Sequence, residues 1–396
     1  MVFKVTHKKW LKLWFLISIL IGGLIFISIK YLKSIYENNT YKEIIARQIK
    51  NNSIYGTALN QNTFGYKLEL IKQLQPEIVA MGSSRVMQFR EESFNTSFVN
   101  AGGAMNYLSE GILFLNEMLK FHKPKHIILG LDFWWFTNNR NEPSFYPYHN
   151  NTGDILTQRK ILEPYYWLLI NKIDITSFKY LFNNSLIVNP LTNHDSLGIQ
   201  AINTSNGFRR DGSYFYGKYI FGLEVSKDEK FKNTLQRIEQ GVNRFEYGNE
   251  LSFDKFNKLK RIINILTKNN IEITIVIPPL SLTSYDKLQK YKDKYNYIKK
   301  LFIQLTKNNI TYYNFHNPKI LNTNDCEFVD GFHGGDVVYQ KILYFVSQNE
   351  KYLTKYLNTN LIEKNIDNYK GRTLSIENSE LYFRKEIDFL RLGCNK

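Results

Sequence analysis

The residues best suited to chemistry lie in two short segments nearly 250 residues apart. One reads Ile78-Val79-Ala80-Met81-Gly82-Ser83-Ser84-Arg85, an apolar run ending in a Gly-Ser-Ser turn. The other reads Asp330-Gly331-Phe332-His333-Gly334-Gly335, with an Asp three residues before a His. A hydroxyl, an imidazole and a carboxylate fill the three roles of nucleophilic acyl chemistry: nucleophile, base and orienting acid. A Ser at a strand-to-helix turn directs its hydroxyl off the sheet edge and offers its own N–H to a developing oxyanion. Ser84 is the candidate nucleophile and Ser83 its rival; the same Gly-Ser-Ser also suits a helix N-cap. His333 needs a carboxylate to fix its tautomer and stabilise its charged form, and Asp330 is spaced to supply it. In Asn100-Ala101-Gly102-Gly103 the glycines allow close approach of backbone to substrate. The amides of Gly102 and Gly103 are therefore candidate oxyanion donors, with a tight turn as the plainer use. Arg85, Arg209 and Arg210 are candidates for holding an anionic substrate group, against surface pairing. Trp134, in Trp134-Trp135-Phe136, is a candidate for stacking on a sugar ring, against packing beneath an insertion. No metal or cofactor is expected. There is no Cys-x-x-Cys, and Pro124 breaks any helix that would bring His122 and His126 onto one face.

The elements that must position these residues follow from periodicity. Strands are predicted over 77–81, 97–100, 126–133, 271–277 and 310–315, alternating with helices over 107–121, 252–267, 285–306 and 337–356. Such alternation predicts an α/β fold, a parallel sheet with helices on both faces, whose site lies beyond the C-terminal strand ends. Ser84, Gly102, Asp132 and the 330–333 loop all fall at or after such ends. Residues 134–250 form an aromatic- and Asn-rich insertion too long for a plain loop. Within it, 207–213 reads as a turn between short strands. Residues 36–75 read as a stalk or leading helix, 76–358 as the main domain with its insertion, and 359–396 as a polar tail without a core face.

Residues 13–29 carry no charge, and as a helix they span roughly 26 Å, close to the hydrocarbon thickness of a bilayer. Lys4, Lys8, Lys9 and Lys12 precede the run, so residues 1–35 are expected to form a cytoplasmic tip and an uncleaved anchor, with everything after it outside the cytoplasm. The net charge of +16 is spread along the chain without a nucleic-acid motif, so no nucleic-acid partner is expected. Cys326 and Cys394 are too few for a disulfide framework and read most simply as free thiols.

The strand-Gly-Ser-Ser turn, the Asn-x-Gly at 100–102 and the Asp-x-x-His at 330–333 together resemble the SGNH/GDSL hydrolase superfamily. The N-terminal anchor and the Gly-Ser-Ser-Arg form resemble its membrane-anchored cell-envelope branch, which includes teichoic acid D-alanine-transfer and alginate O-acetylation proteins. The likeness covers residues 75–133 and 252–350. It implies a flavodoxin-like three-layer sandwich and acyl-ester hydrolysis or O-acyl transfer on an envelope glycan. Ser84, His333 and Asp330 would form the triad, and a membrane acyl-donor protein would be a partner. A non-catalytic glycan-binding or assembly protein on the same fold is the alternative. The family's third block ends in Gly-x-Asn-Asp, whose Asn amide donates to the oxyanion; this chain has Gly130-Leu131-Asp132-Phe133, and an ionised Asp132 cannot donate.

Overall fold

The computed structural model describes residues 7–60, 62–143, 158–182, 187, 195–375 and 385–396. Its strands are β1 (Ile54–Tyr55), β2 (Ile78–Gly82), β3 (Phe98–Gly102), β4 (His126–Gly130), β5 (Ser196–Leu197), β6 (Asn206–Phe208), β7 (Tyr214–Tyr216), β8 (Glu272–Ile277) and β9 (Tyr313–Asn314). The main sheet has the order β3-β2-β4-β8-β9, and every neighbouring pair is parallel. The chain enters at β2, steps outward to β3, then returns past β2 to build β4, β8 and β9 on the other side.

Side chains of a strand alternate between the faces of its sheet. Val79, Met81, Ile127 and Leu129 accordingly join one core cluster with the helices Thr63–Leu74, Leu108–Met118, Phe253–Lys268 and Asn296–Lys307. Ile78, Ala80 and Ile128 join a second cluster with the helix Asp336–Asn349. Burial on both faces is what the unbroken apolar runs of β2 and β4 require. The expected α/β architecture with a central parallel sheet is therefore present. The helix expected over 285–306 is two helices, Leu282–Lys290 and Asn296–Lys307, with a 3₁₀ turn between them. At that turn the buried Tyr295 hydroxyl donates to the carbonyls of Ile238 and Phe245, drawing the chain off the helix axis.

The segment read as a stalk or leading helix is helical and built into the domain. It folds as helices Tyr41–Asn51 and Thr63–Leu74, and Tyr41, Ile44, Ile45, Leu70 and Ile71 lie in the first core cluster. Thr40 and Glu43 form a reciprocal capping box at its start. Between the helices, β1 nucleates a second sheet of order β5-β1-β6-β7 whose other strands come from the insertion. The two ends of the insertion meet: Thr137 bridges Leu251, and the Ser252 amide donates to the Phe136 carbonyl. The turn anticipated over 207–213 connects β6 to β7.

An N-terminal helix, His7–Ser34, is long and apolar enough to cross a membrane. It runs directly into the domain. Tyr31, Leu32 and Ile35 are fully buried, and the buried Glu37 carboxylate accepts from the Thr57 hydroxyl at 2.6 Å and the Ile199 amide at 2.7 Å.

Two expectations about the C-terminus are corrected. Cys326 and Cys394 are joined in a disulfide, with their Cα atoms 5.8 Å apart. Among the described residues of 359–396, the helix Thr359–Asn368 packs on Asp336–Asn349, and Phe389 and Leu390 are buried in the second core cluster. Spacing within the segment hid this core face because its few apolar contacts are distributed over separate turns. The disulfide closes a 68-residue separation, for which chain entropy predicts roughly 4 kcal/mol of stabilisation. Cys394→Ser is therefore expected to lower the melting temperature, with the wild-type protein falling to the same value under a phosphine reductant; equal melting temperatures in all three samples would exclude the bond.

Candidate active site

Ser84, His333 and Asp330 meet at the C-terminal edge of the sheet. Ser84 opens a 3₁₀ turn directly after β2. Its Oγ lies 2.8 Å from His333 Nε2, and His333 Nδ1 lies 2.7 Å from Asp330 Oδ2. With the Nδ1 proton donated to Asp330, Nε2 is left to accept the Ser84 hydroxyl proton. Asp330 Oδ1 accepts from the amides of Phe332 and His333 at 2.9 and 2.8 Å. Burial alone would raise this carboxyl, but the facing His333 and those two amides outweigh it and hold Asp330 below the usual carboxylate range. The rivalry between the serines is decided by geometry. Ser83 is buried and its hydroxyl accepts from the Arg85 amide as the cap of the turn, while the partly exposed Ser84 carries the hydroxyl that faces the imidazole.

Arg85 is not a substrate-binding residue. It is 1% exposed, and its guanidinium donates to four acceptors from three other segments: the Phe332 carbonyl at 3.0 Å, Asp132 at 3.2 Å, and the Pro278 and Pro279 carbonyls at 2.5 and 2.8 Å. It also stacks over Trp134, 5.2 Å from the ring centroid. This contact explains Asp132: its carboxylate is the buried counter-ion of Arg85. Trp134 is likewise buried, between Phe133, Phe245 and Phe332, and offers no face to a sugar. Arg209 is buried with its guanidinium on the Ser213 hydroxyl and the Tyr214 carbonyl. Arg210, partly exposed, pairs with Glu91.

The expected oxyanion donors are also taken up within the fold. The Gly102 amide donates to Asn100 Oδ1 at 2.7 Å and the Gly103 amide to the Gly82 carbonyl at 3.0 Å. Asn100 in turn donates to the carbonyls of Val86 and Phe89, so this block braces the turn that carries Ser84. Among the described residues, the Ser84 amide has no acceptor and is the donor left beside the Ser84 hydroxyl. His126 is buried against Thr274, and His122 bonds Gln75 and the Pro76 carbonyl, so the two do not share a site; no cluster suited to a metal occurs among the described residues.

Several residues that shape the site escaped sequence reasoning. A cleft of about 430 Å³ opens at Ser84, lined by Tyr55, Asn60, Asn62, Tyr66, Gln200, Phe208, Tyr214 and Tyr216 among others. Its walls come from the second sheet, hence from the leading segment and the insertion together. Asp228, also from the insertion, accepts from the Gly331 amide at 2.8 Å and from the Thr234 amide and hydroxyl, which fastens the 330–333 loop. Gly331 is needed there because a Cβ would lie 2.6 Å from Thr234. Arg237 and Arg244 place their guanidinium groups 5.7 and 5.5 Å from the Phe332 ring, and neither has an ion-pair partner among the described residues. These contacts join segments remote in sequence and leave no local signature.

No protein-family model matches the sequence, and no curated protein matches it.

Two outcomes follow from these contacts. Arg85→Ala leaves Asp132 buried without its partner, a change expected to cost about 3–5 kcal/mol in chemical denaturation, whereas Ser83→Ala is expected to cost about 1 kcal/mol as a lost cap. Because the folded-state Asp330 carboxyl titrates below its unfolded value, its stabilisation is present above the ordinary carboxylate range and lost as pH falls through the folded value. The stability gap between wild type and Asp330→Asn is thus expected to be present above the ordinary carboxylate range and to vanish as pH falls through the folded value of the carboxyl; a gap that persists undiminished below it contradicts the assignment.

Proposed function

We propose that this protein is a membrane-anchored, extracytoplasmic serine acyl-ester hydrolase or O-acyltransferase of the SGNH/GDSL type, acting on a cell-envelope polysaccharide. The observation that carries this reading is the Ser84–His333–Asp330 chain of contacts at 2.8 and 2.7 Å. The strand order supports it: counted along the main sheet's own strands it is 2-1-3-4-5, the flavodoxin-like order, with ligands expected at the switch point beyond the strand ends. The tyrosines and amides of the Ser84 cleft suit a polyhydroxylated acceptor.

In this mechanism His333 Nε2 takes the Ser84 proton as Oγ bonds to the acyl carbonyl carbon. The oxyanion is met by the Ser84 amide. Collapse breaks the ester C–O bond, and the leaving alcohol receives the proton from His333, giving an acyl-enzyme. Water or a sugar hydroxyl then attacks, His333 takes its proton, and Ser84 leaves with that proton restored. Asp330 stabilises the imidazolium in both halves. The outward-facing domain follows from the basic residues preceding the anchor, and a membrane acyl-donor protein is the partner this orientation would serve.

A second reading, a non-catalytic glycan-binding or assembly protein, is favoured by one observation: Asp132 is engaged with Arg85 and the Gly102 and Gly103 amides are occupied, so none of these groups is left to serve as a second oxyanion donor. One lost donor costs about 10²–10³ in rate. The two readings separate in an ester-turnover assay on the full chain, with sugar acceptors present, beside labelling by a fluorophosphonate probe. The enzyme reading expects Ser84→Ala and His333→Ala each to lose about 10⁴-fold or more in turnover, with Ser83→Ala within a few-fold of wild type, labelling abolished in Ser84→Ala and retained in Ser83→Ala. A folded wild type that neither turns over esters nor labels favours the binder.

A further inference from the structure

The helix Gln158–Leu169 and the turn Ile175–Leu181 that follows it form an unusual part of the insertion. Their inner side docks on the end of the N-terminal helix: Trp167 and Ile173 are buried with Tyr31, Leu32 and Ile35. Phe178 stacks on Tyr31 at 4.5 Å, the Tyr31 hydroxyl donates to Ser177, and the Ser28 hydroxyl donates to the Ile161 carbonyl. Their outer side is apolar and bare. Leu162, Tyr166, Leu169 and Ile170 recur at i, i+4, i+7 and i+8, one face of a helix, and Ile175 and Phe182 continue the patch. Leu169 is 82% exposed and Phe182 85%. An apolar surface of this extent on a water-facing domain needs a cover.

The position of the patch says what covers it. The Tyr165 hydroxyl donates to the Leu24 carbonyl at 2.5 Å. Leu24 lies five residues inside the end of the uncharged run at Ile29, which is about 7.5 Å along a helix axis. Interfacial helices bury their apolar face about 5–10 Å into the boundary between headgroups and acyl chains, so the two depths agree. Basic groups stand at the same level: Lys30 over Phe182, Lys172 over Trp167 and Lys179 over Tyr180. They are placed as lysines that snorkel to anionic headgroups from an interfacial segment.

We infer that residues 160–182 lie in the outer leaflet interface of the bilayer that the N-terminal helix crosses, a second membrane contact whose occupant is lipid. The protein then stands on the membrane through a fixed base, with the anchor helix and the interfacial segment packed as one unit. The buried Glu37 contacts and the bond from the Gly198 amide to the Ile35 carbonyl at 2.7 Å pass that rigidity to the second sheet, which walls the Ser84 cleft. The cleft is thereby held at a set height and tilt above the lipid surface. The inference concerns the membrane base alone and holds whether or not Ser84 is catalytic.

Both native cysteines are in the disulfide, so single introduced cysteines can be labelled selectively. Full-length Leu169→Cys, Ile175→Cys and Phe182→Cys would each carry a nitroxide in vesicles of phosphatidylethanolamine and phosphatidylglycerol, beside Lys292→Cys as a site in an exposed turn remote in sequence from the patch. Power saturation then compares collisions with oxygen and with a water-soluble nickel chelate. The expected result is an oxygen-to-nickel ratio several-fold higher at all three patch sites than at Lys292. Equal ratios at patch and control overturn the inference, as does shielding from both reagents that persists at high lipid-to-protein ratio, which would mean that protein covers the patch. Three independent sites keep the test valid if one substitution prevents folding.

Discussion

The site depends on one buried cation. Arg85 follows Ser84 directly, and its guanidinium ties the β2 turn to the loop after β4 through Asp132, to the end of β8 through Pro278 and Pro279, and to the His333 loop through the Phe332 carbonyl. A planar group with several fixed donors can satisfy that many acceptors at once; a lysine could not. Removal of such a charge from water is costly unless every partner is in place. The four segments must therefore reach their native positions together, and when they do Ser84 and His333 are brought to hydrogen-bond distance. Asp132, at the end of β4, is the place where Arg85 is neutralised.

Around this centre, elements that looked peripheral in the chain carry out positioning. Asn100 gathers carbonyls from the Ser84 turn, and Asp228 reaches from the insertion to fasten Gly331. The insertion and the segment before β2 contribute strands to one small sheet and so share the walls of the cleft. Lys67 shows how tightly they are joined: fully buried, it donates to the Asn100 and Gly212 carbonyls, and burial lowers its pKa to about 7. Gly212 makes that approach possible, with φ at +83° and no Cβ to strike the Asn100 carbonyl. The end of β3, the helix Thr63–Leu74 and the insertion thus converge on one lysine.

The sequence by itself determined the parallel sheet, the helices that alternate with its strands and the membrane-length helix, and it singled out Ser84, Asp330 and His333 as candidates for chemistry. These features are local: strand and helix periods are visible within ten residues, and Asp330 and His333 share a turn. It also led to the pairing of Ser84 with the 330–333 loop, because both lie at C-terminal strand ends of one sheet. Only the tertiary structure decided between Ser83 and Ser84, because both hydroxyls belong to the same turn and differ in what faces them. It turned Arg85, Trp134 and Arg209 from substrate contacts into interior residues, since a charged or aromatic side chain near a site has the same composition whether it points outward or inward. It joined Cys326 to Cys394, packed the leading segment and the described C-terminal residues onto the core, and built the cleft from strands of two or three residues. Each of those outcomes depends on contacts between residues far apart in the chain, whose energy exists only after the sheet has brought them together.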